Sequence, residues 1–334
     1  MAGGRTLRQL IKAGAAGSTD DFRRAAEKVI EEEREKKHHL LATDLERILY
    51  GQPRSARESL AAVVPSIPVD RERKLPLLDV REPIRSLDDL VVDPGVRAVL
   101  EEVLLEQARR DVLSSWGLRP IARLLFVGPP GCGKTLASEV LATELGLPWV
   151  TIRFDAVVSS FLGETAANLR QVFDYLAGGR YVALFDEFDA IGKEREDETE
   201  HGELRRVVSA LLQMMDSYRG ESLLVAASNH EGMLDRALWR RFDEVLKLDR
   251  PGPCEIVALL QAKLRGVRRD FDAEGGEVAE SLIGLSHADI ERVVIRAIKT
   301  TVLSGREFVS KGAILKALER EGQRRMLSSG EPNR

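Results

Sequence analysis

The sequence predicts an α/β protein: a parallel sheet with flanking helices, followed by a small all-α C-terminal domain and preceded by a helical N-terminal extension. Three observations carry this. Between Leu90 and Arg250 short apolar runs ("RLLFVG", "WVTIR", "YVALFDE", "SLLVAASN", "EVLKL") alternate with segments of helical periodicity, the pattern of βαβ units whose sheet is covered on both faces. After "DRPGP" the apolar spacing is helical throughout, as in "CEIVALLQAKLRGV" and "ADIERVVIRAIKTTVL". Residues 20–50 combine dense charge, apolar spacing near one helical turn, an Asp cap and a closing Gly51.

These signals divide the chain. Residues 1–51 read as a helical region, and residues 52–89 as a linker or extended arm, because Pro53, Pro65, Pro68, Pro76 and Pro83 break any helix there. Residues 90–250 read as the α/β domain, 251–326 as the helical domain and 327–334, "LSSGEPNR", as a flexible tail.

Composition narrows the function. The 334 residues are 43% hydrophobic, enough for packed cores. Fifty basic and 54 acidic side chains give a net charge of -4, so there is no overall attraction to nucleic acid or to an anionic membrane. With 5% aromatic residues and no recognition helix in view, a nucleic-acid partner is disfavoured. No apolar run approaches the roughly 20 residues that cross a bilayer. Cys132 and Cys254 are too few for a disulfide framework or a metal cluster, which predicts a reducing compartment, the cytoplasm. The start, "MAGGRTLRQLIKAGAAGS", has no acid before Asp20, as in a transit peptide, but its apolar positions fit one helical face.

Gly128 to Thr135, "GPPGCGKT", matches G-x-x-x-x-G-K-[ST] between the strand "RLLFV" and the helix "TLASEVLATEL". Gly128, Pro129, Pro130, Gly131, Cys132 and Gly133 would curl backbone N–H groups around phosphate oxygens, with Leu136 in the first helical turn. Lys134 would reach the β and γ phosphates and the Thr135 hydroxyl would ligate Mg2+. The strand "YVALF" ends in Asp186 and Glu187, at the edge where parallel sheets bind ligands. Asp186 would hold the magnesium shell and Glu187 would orient and deprotonate the attacking water. Asn229, closing "SLLVAASN", is either a contact to the γ-phosphate or water, or an ordinary turn residue.

In this order, followed by the adjacent Arg240 and Arg241 and a helical domain, these motifs resemble the AAA+ ATPases, and within them the AAA subgroup of protein-remodelling enzymes. The likeness covers roughly Leu90 to Gln323. It implies a P-loop NTPase core with a C-terminal lid, with "GPPGCGKT" as Walker A, "ALFDEFDAI" as Walker B and Asn229 as sensor 1. "LDRALWRRFDE" is similar to the segment carrying arginine fingers, so Arg240 and Arg241 would act on the ATP of a neighbouring subunit. The family often separates the two arginines by Pro-Gly, and here they are adjacent, which leaves open which one reaches the phosphate. "SSFLGETAANLRQVF" resembles a pore-loop segment in which Phe161, Leu162 and Gly163 would grip an extended polypeptide; the alternative is a core Phe before a helix cap. Gly192 to Glu203 falls where a second pore loop would lie, or is a solvated loop. "GLSHADIERVVIRAI" is similar to the lid segment that packs near the adenine, with His287 in place of the usual glycine.

The resemblance implies a Mg-dependent ATPase, assembled as a homo-oligomer, a hexameric ring in the family, that couples ATP binding and hydrolysis to remodelling, unfolding or translocation of a protein substrate. The N-terminal region would recruit a substrate, adaptor or partner enzyme. A nucleotide-gated switch or scaffold for a separately encoded partner such as a protease is the alternative, and a nucleic-acid motor is the less favoured one. Other residues read as structural: His287 as a satisfied surface histidine, Cys132 as a small loop filler rather than a thiol of lowered pKa, His38 and His39 as surface or packing residues, and Trp116 and Trp149 as core. "HEGML", His230 to Leu234, lacks the second histidine of a zinc protease motif.

Overall fold

In the computed structural model the chain forms two compact units, Met1–Val64 and Pro65–Arg334. Described are residues 25–28, which are helical, together with 66–158, 162–187, 210–229, 239–272 and 276–329.

The second unit is built on a sheet of six strands: β1 (Leu78–Arg81), β2 (Arg123–Val127), β3 (Trp149–Ile152), β4 (Val182–Phe185), β5 (Leu223–Ser228) and β6 (Glu244–Lys247). They lie in the order β1-β3-β4-β5-β2-β6. All neighbours are parallel except β1, which pairs antiparallel with β3 and sets Leu78 opposite Ile152. The strands β4 and β5 are buried at every residue, because both sheet faces are covered. Alternation along each strand divides the core. Leu125, Val127, Ala183, Phe185, Leu224 and Ala226 join one cluster. Leu124, Phe126, Val182, Leu184, Leu223, Val225 and Ala227 join the other, as a side-chain period of two requires.

The helices are α1 (Pro94–Ala108), α2 (Arg110–Ser115), α3 (Lys134–Leu145), α4 (Phe154–Val157), α5 (Leu162–Ala177), α6 (Pro253–Lys263), α7 (Gly276–Ser281), α8 (His287–Leu303) and α9 (Lys311–Ser329), with residues 210–217 also helical. Their ends follow local chemistry. Asp93 caps α1 by accepting from Gly95 N at 2.8 Å, with Pro94 at the first helical position. The helix α3 closes on Gly146 in the left-handed conformation, φ 64°. A third apolar cluster, including Ile256, Leu260, Leu282, Ile290, Val293 and Ile314, holds α6–α9 together.

Part of the stretch that reads as linker or arm is a sheet strand, β1. Proline content did not exclude it, because an edge strand tolerates prolines just outside its paired residues. The turn before it is pinned by Asp70, 4% exposed, whose carboxylate accepts from Arg73 N at 2.8 Å and from Asn168 Nδ2 of α5 at 3.1 Å. These hydrogen bonds hold the Asp70 carboxyl below its ordinary range. The helix α9 continues to Ser329, into the stretch that reads as a tail.

The two tryptophans part company. Trp149 is buried in the sheet and donates from Nε1 to Ser138 Oγ at 3.2 Å. Trp116 is 80% exposed, against the expectation of a core residue. It follows the six-residue α2, and Gly117 at φ 74° turns the chain before a second helical turn could tuck the ring inward. Trp149→Ala is expected to cost about 3–5 kcal/mol and Trp116→Ala less than about 0.5 kcal/mol in the unassembled chain, as measured by chemical denaturation of the two variants at a dilution where the chain is monomeric.

Candidate functional site

The carboxyl ends of β2, β4 and β5 converge at one edge of the sheet. The chain leaves β2 at Gly128, whose φ of 143° suits glycine alone and where an added Cβ would sit 2.1 Å from the Leu248 carbonyl oxygen. Gly128 N donates to Ser228 O at 3.2 Å, tying the loop to the residue before Asn229. The loop then turns into the N-terminus of α3, where unpaired N–H groups and the helix dipole favour an anion.

Lys134 is 6% exposed, and its Nζ donates to the carbonyls of Gly128 and Pro129 at 2.7 and 2.9 Å. Loop carbonyls thus hold the ammonium inside the curl of the backbone. The Thr135 hydroxyl donates to Asp186 Oδ2 at 2.7 Å. Two hard oxygen donors at contact distance beside an anion cradle fit an octahedral divalent cation such as Mg2+. Glu187, one residue on, has φ 51°, a conformation costly for a residue with a Cβ. Its N–H donates to Asp186 Oδ1 at 2.9 Å, so the strained turn is held by the carboxylate before it. Asn229 steps off β5, the strand between β2 and β4. The structure therefore brings Lys134, Thr135, Asp186, Glu187 and Asn229 to one sheet edge.

The helical domain completes the enclosure. Ala288 N donates to Gly131 O at 3.0 Å. A Cβ on Gly131, φ 76°, would meet Ser286 Oγ at 2.8 Å and Ala288 Cβ at 3.1 Å. Ser286 caps α8 in a reciprocal box with Asp289, which the spacing S-x-x-D signals in the sequence. Arg292 then links Asp289 to Glu321 of α9, itself 1% exposed.

Beside this contact lies a cavity of about 360 Å3, lined by Val92, Asp93, Val96, Cys132, residues 247–251, Glu255 and His287, of the size that takes a small molecule. Two expectations meet the structure here. His287 is no satisfied surface histidine: both ring nitrogens are buried, and neither makes a hydrogen bond. Helix α8 begins against the loop between β2 and α3, and its first side chain therefore lies in the wall of the cavity with both nitrogens covered. Burial pushes its imidazole below the ordinary range, opposed by the Val91 main chain and the Glu255 charge. Cys132 fills the loop as expected, and burial raises its thiol, so it is not an activated nucleophile.

Arg240 and Arg241 lie at the other edge. Arg241 Nε donates to Asp216 Oδ2 at 2.8 Å. Its carbonyl accepts from Arg123 at the start of β2, at 3.4 Å. Asp243 Oδ2 accepts from Ala122 N and Arg123 N, both at 2.9 Å, fixing the segment to the amino end of the sheet. Arg240 is exposed. Asp216 carried no signal in the sequence, since only the fold brings it to Arg241 across 25 positions. Phe161, the segment 192–203, His38, His39 and His230 to Leu234 lie outside the described residues. Leu162 and Gly163 begin α5.

Residues 124–250 match the family model "ATPase family associated with various cellular activities (AAA)". An uncharacterized AAA family ATPase of Sinorhizobium fredii, y4kL, is 39% identical over 97% of this chain and 97% of its own. The chain belongs to the AAA family of ATPases. It is also similar to the proteasome-activating nucleotidase of Thermococcus onnurineus, 30% identical over 78% of this chain and 67% of that one. An ATP-dependent zinc metalloprotease FtsH 1 of Sphaerobacter thermophilus is 32% identical over 66% of this chain, which spans 36% of that protein. As an AAA ATPase the chain binds nucleotide and hydrolyses ATP. Among the described residues no helix is long and apolar enough to cross a membrane.

In this AAA ATPase, Gly131→Ala should weaken ATP binding, because the left-handed backbone and the contact with Ser286 together cost about 1–3 kcal/mol; titration calorimetry checks it. An unfolded imidazole takes a proton near pH 6.5 and the folded His287 only at lower pH. The stability that the neutral ring contributes is therefore present above about pH 6.5 and lost as pH falls through the folded value. Thermal melts at about pH 7.5 and 5.5 should show a smaller drop for His287→Gln than for the parent.

Proposed function

We propose that this AAA ATPase is an oligomeric, Mg-dependent machine that uses ATP turnover to remodel, unfold or translocate a protein substrate. The observation that carries this reading is the separation of the two halves of the chemistry. Thr135, Asp186 and Glu187 stand at the carboxyl edge of the sheet, and the arginine pair at its amino edge. Between them runs a five-residue strand, about 15 Å at 3.3 Å per residue, so one chain's arginine serves another chain's site.

In this reading Gly128–Leu136 cradle the triphosphate, Thr135 and Asp186 hold Mg2+, and the nucleobase enters the cavity beside His287. Bound magnesium neutralises charge on the phosphate oxygens. Lys134 leaves its two carbonyls for the phosphates. Glu187 takes the proton of the attacking water, held at its place by the turn that Asp186 braces, and Asn229 orients that water. Arg240, exposed, reaches the neighbour's γ-phosphoryl group, while Arg241, paired with Asp216, positions it. A guanidinium supplied in this way is worth several kcal/mol of transition-state stabilisation in comparable NTPases.

Head-to-tail assembly is consistent with exposed apolar side chains on two different parts of the unit: Leu105, Val112, Trp116 and Leu118 on or beside α1 and α2, and Ile283, Val302, Leu303 and Phe308 on or beside α7 and α8. Unlike surfaces suit a heterologous interface, which gives a ring where the rotation between neighbours closes; a hexamer is the number we propose. Relatives named for the proteasome and for a protease favour a protein substrate. Phe161, Leu162 and Gly163 would grip it, and residues 1–51 would recruit it or a partner. Residues 90–250 and 251–326 would move as nucleotide-binding domain and lid, in the cytoplasm.

A second reading, a nucleotide-gated switch for a separate partner, draws on the bond from Ala288 N to Gly131 O, which couples lid position to the phosphate loop. Phe161→Ala should abolish substrate processing by a motor and leave a switch intact.

Lys134→Ala should lose ATP binding, and Glu187→Gln should bind ATP and lower turnover at least about 100-fold. Arg240→Ala should bind ATP and be inactive alone. Mixing it with Glu187→Gln should restore hydrolysis, because one chain keeps the base and the other the arginine. No recovery in confirmed mixed assemblies removes the assembly from the mechanism.

A further inference from the structure

The contact of α8 with the loop between β2 and α3 is braced from a third element. Ala288 N donates to Gly131 O at 3.0 Å, and a Cβ on Gly131 would come within 2.8 Å of Ser286 Oγ. Ser286 and Ala288 belong to the capped first turn of α8, and one oxygen of Asp289 closes that cap: Oδ2 accepts from Ser286 N at 3.1 Å and from the Ser286 hydroxyl at 2.8 Å. The other oxygen, Oδ1, accepts from a terminal nitrogen of Arg292, whose Nε donates to Glu321 Oε1 of α9 at 3.0 Å. Glu321 is 1% exposed, and its Oε2 is buried without a hydrogen bond. Arg324 stands farther off, at 3.7 Å. A carboxylate enclosed in this way is costly without its guanidinium, so α9 holds Arg292, Arg292 holds Asp289, and Asp289 holds the turn that touches Gly131.

We propose that Arg292 is a positioning residue of the nucleotide site: by joining Asp289 to Glu321 it keeps the first turn of α8 against Gly131, and the grip of the loop on phosphate depends on it. Arg292 itself lines neither that loop nor the cavity beside it. The inference rests on the reading that Gly128–Leu136 cradle the triphosphate. Backbone N–H groups bind phosphate only while the loop keeps its curl, and Gly131, at φ 76°, has many other conformations open to it. Without the bridge Asp289 loses its tie to α9 and the cap of α8 frays in part of the molecules. In those molecules Gly131 also loses the bond that holds its carbonyl. A ligand that needs the held form then binds more weakly, by the inverse of the fraction that keeps it. Loss of a helix cap shifts such an equilibrium roughly fivefold.

The test uses the full chain, its folding followed by circular dichroism, and displacement of a fluorescent ADP analogue by ADP and by inorganic tripolyphosphate. Arg292→Ala should weaken both competitors roughly fivefold and in equal proportion, because the loop and not the base is what loosens. Its melting temperature should fall as well, since Asp289 and Glu321 are both stranded. The double variant Arg292→Ala/Glu321→Gln separates positioning from stability. With the buried charge of α9 removed, its melting temperature should recover towards that of the parent, while both affinities stay low because Asp289 still lacks its bridge. Affinities that recover together with the melting temperature, affinities that keep the parent's values in Arg292→Ala, or a loss confined to ADP, each overturn the proposal. Lys134→Ala tests the reading beneath it. If Lys134→Ala binds tripolyphosphate as the parent does, the loop is not the cradle and both fall; if it loses tripolyphosphate while Arg292→Ala keeps it, only the role of Arg292 falls. Should neither Arg292 variant fold, Arg292→Lys carries the test. One ammonium does not replace the guanidinium fork, so both affinities should still fall at least about twofold, and parental values overturn the proposal.

Discussion

The close approach of neighbouring residues to the loop backbone at Gly128 and Gly131 is the constraint on which the rest depends. At Gly128 the loop between β2 and α3 runs against the Leu248 carbonyl, and at Gly131 it runs against Ser286 and Ala288 at the start of α8, with no room for a Cβ at either point. The loop is thus clamped between the end of the sheet and the first turn of α8. One flank is the main-chain carbonyl of Leu248, and the other is made by the Ser286 and Ala288 side chains, with the bond from Ala288 N to Gly131 O beside them. The helical part α6–α9 cannot move away from the sheet part without releasing that bond. Val91, packed against the apolar cluster of α6–α9, is a second contact between the two parts.

A polar chain carries this contact outward. Ser286 and Asp289 cap α8, Arg292 joins Asp289 to Glu321, and Glu321 lies buried in α9. The two buried carboxylates, Asp289 and Glu321, depend on the part-exposed Arg292 between them, since moving it strands both. On the opposite edge of the sheet a similar economy applies. Asp216 engages Arg241 and Asp243 grips the first residues of β2, so the segment bearing Arg240 is anchored to the same strand that leads into the loop before α3. A strand buried at four of its five residues is a stiff connection between the two edges.

Much of the fold was legible because it rests on periodicity. Continuous apolar runs of four to six residues gave β2, β4 and β5, and their alternation with helical segments along the chain gave a parallel sheet. The turn from β2 into α3 was legible for a different reason: Gly128, Gly131 and Gly133 all take positive φ there, a conformation that glycine adopts without cost. The edge strand β1 was not, since its four residues "LDVR" are too short a run to signal a strand and pair only because β3 offers a free edge. Trp116 was misjudged because hydrophobicity predicts burial on average and says nothing of whether a neighbouring element arrives to cover a given face.

The sequence by itself determined the α/β class and the helical C-terminal part, because periodicity dictates them, and it supplied the order of Lys134, Thr135, Asp186, Glu187 and Asn229 that the fold gathers at one end of the sheet. Tertiary structure alone decided that Arg241 is held by Asp216 while Arg240 stands exposed, that the arginines and the loop before α3 occupy opposite ends of one strand, and that His287 lies in the wall of a cavity with both nitrogens covered. Each of these depends on residues far apart in the chain, and distance in space between such residues is fixed by packing, which no local pattern encodes.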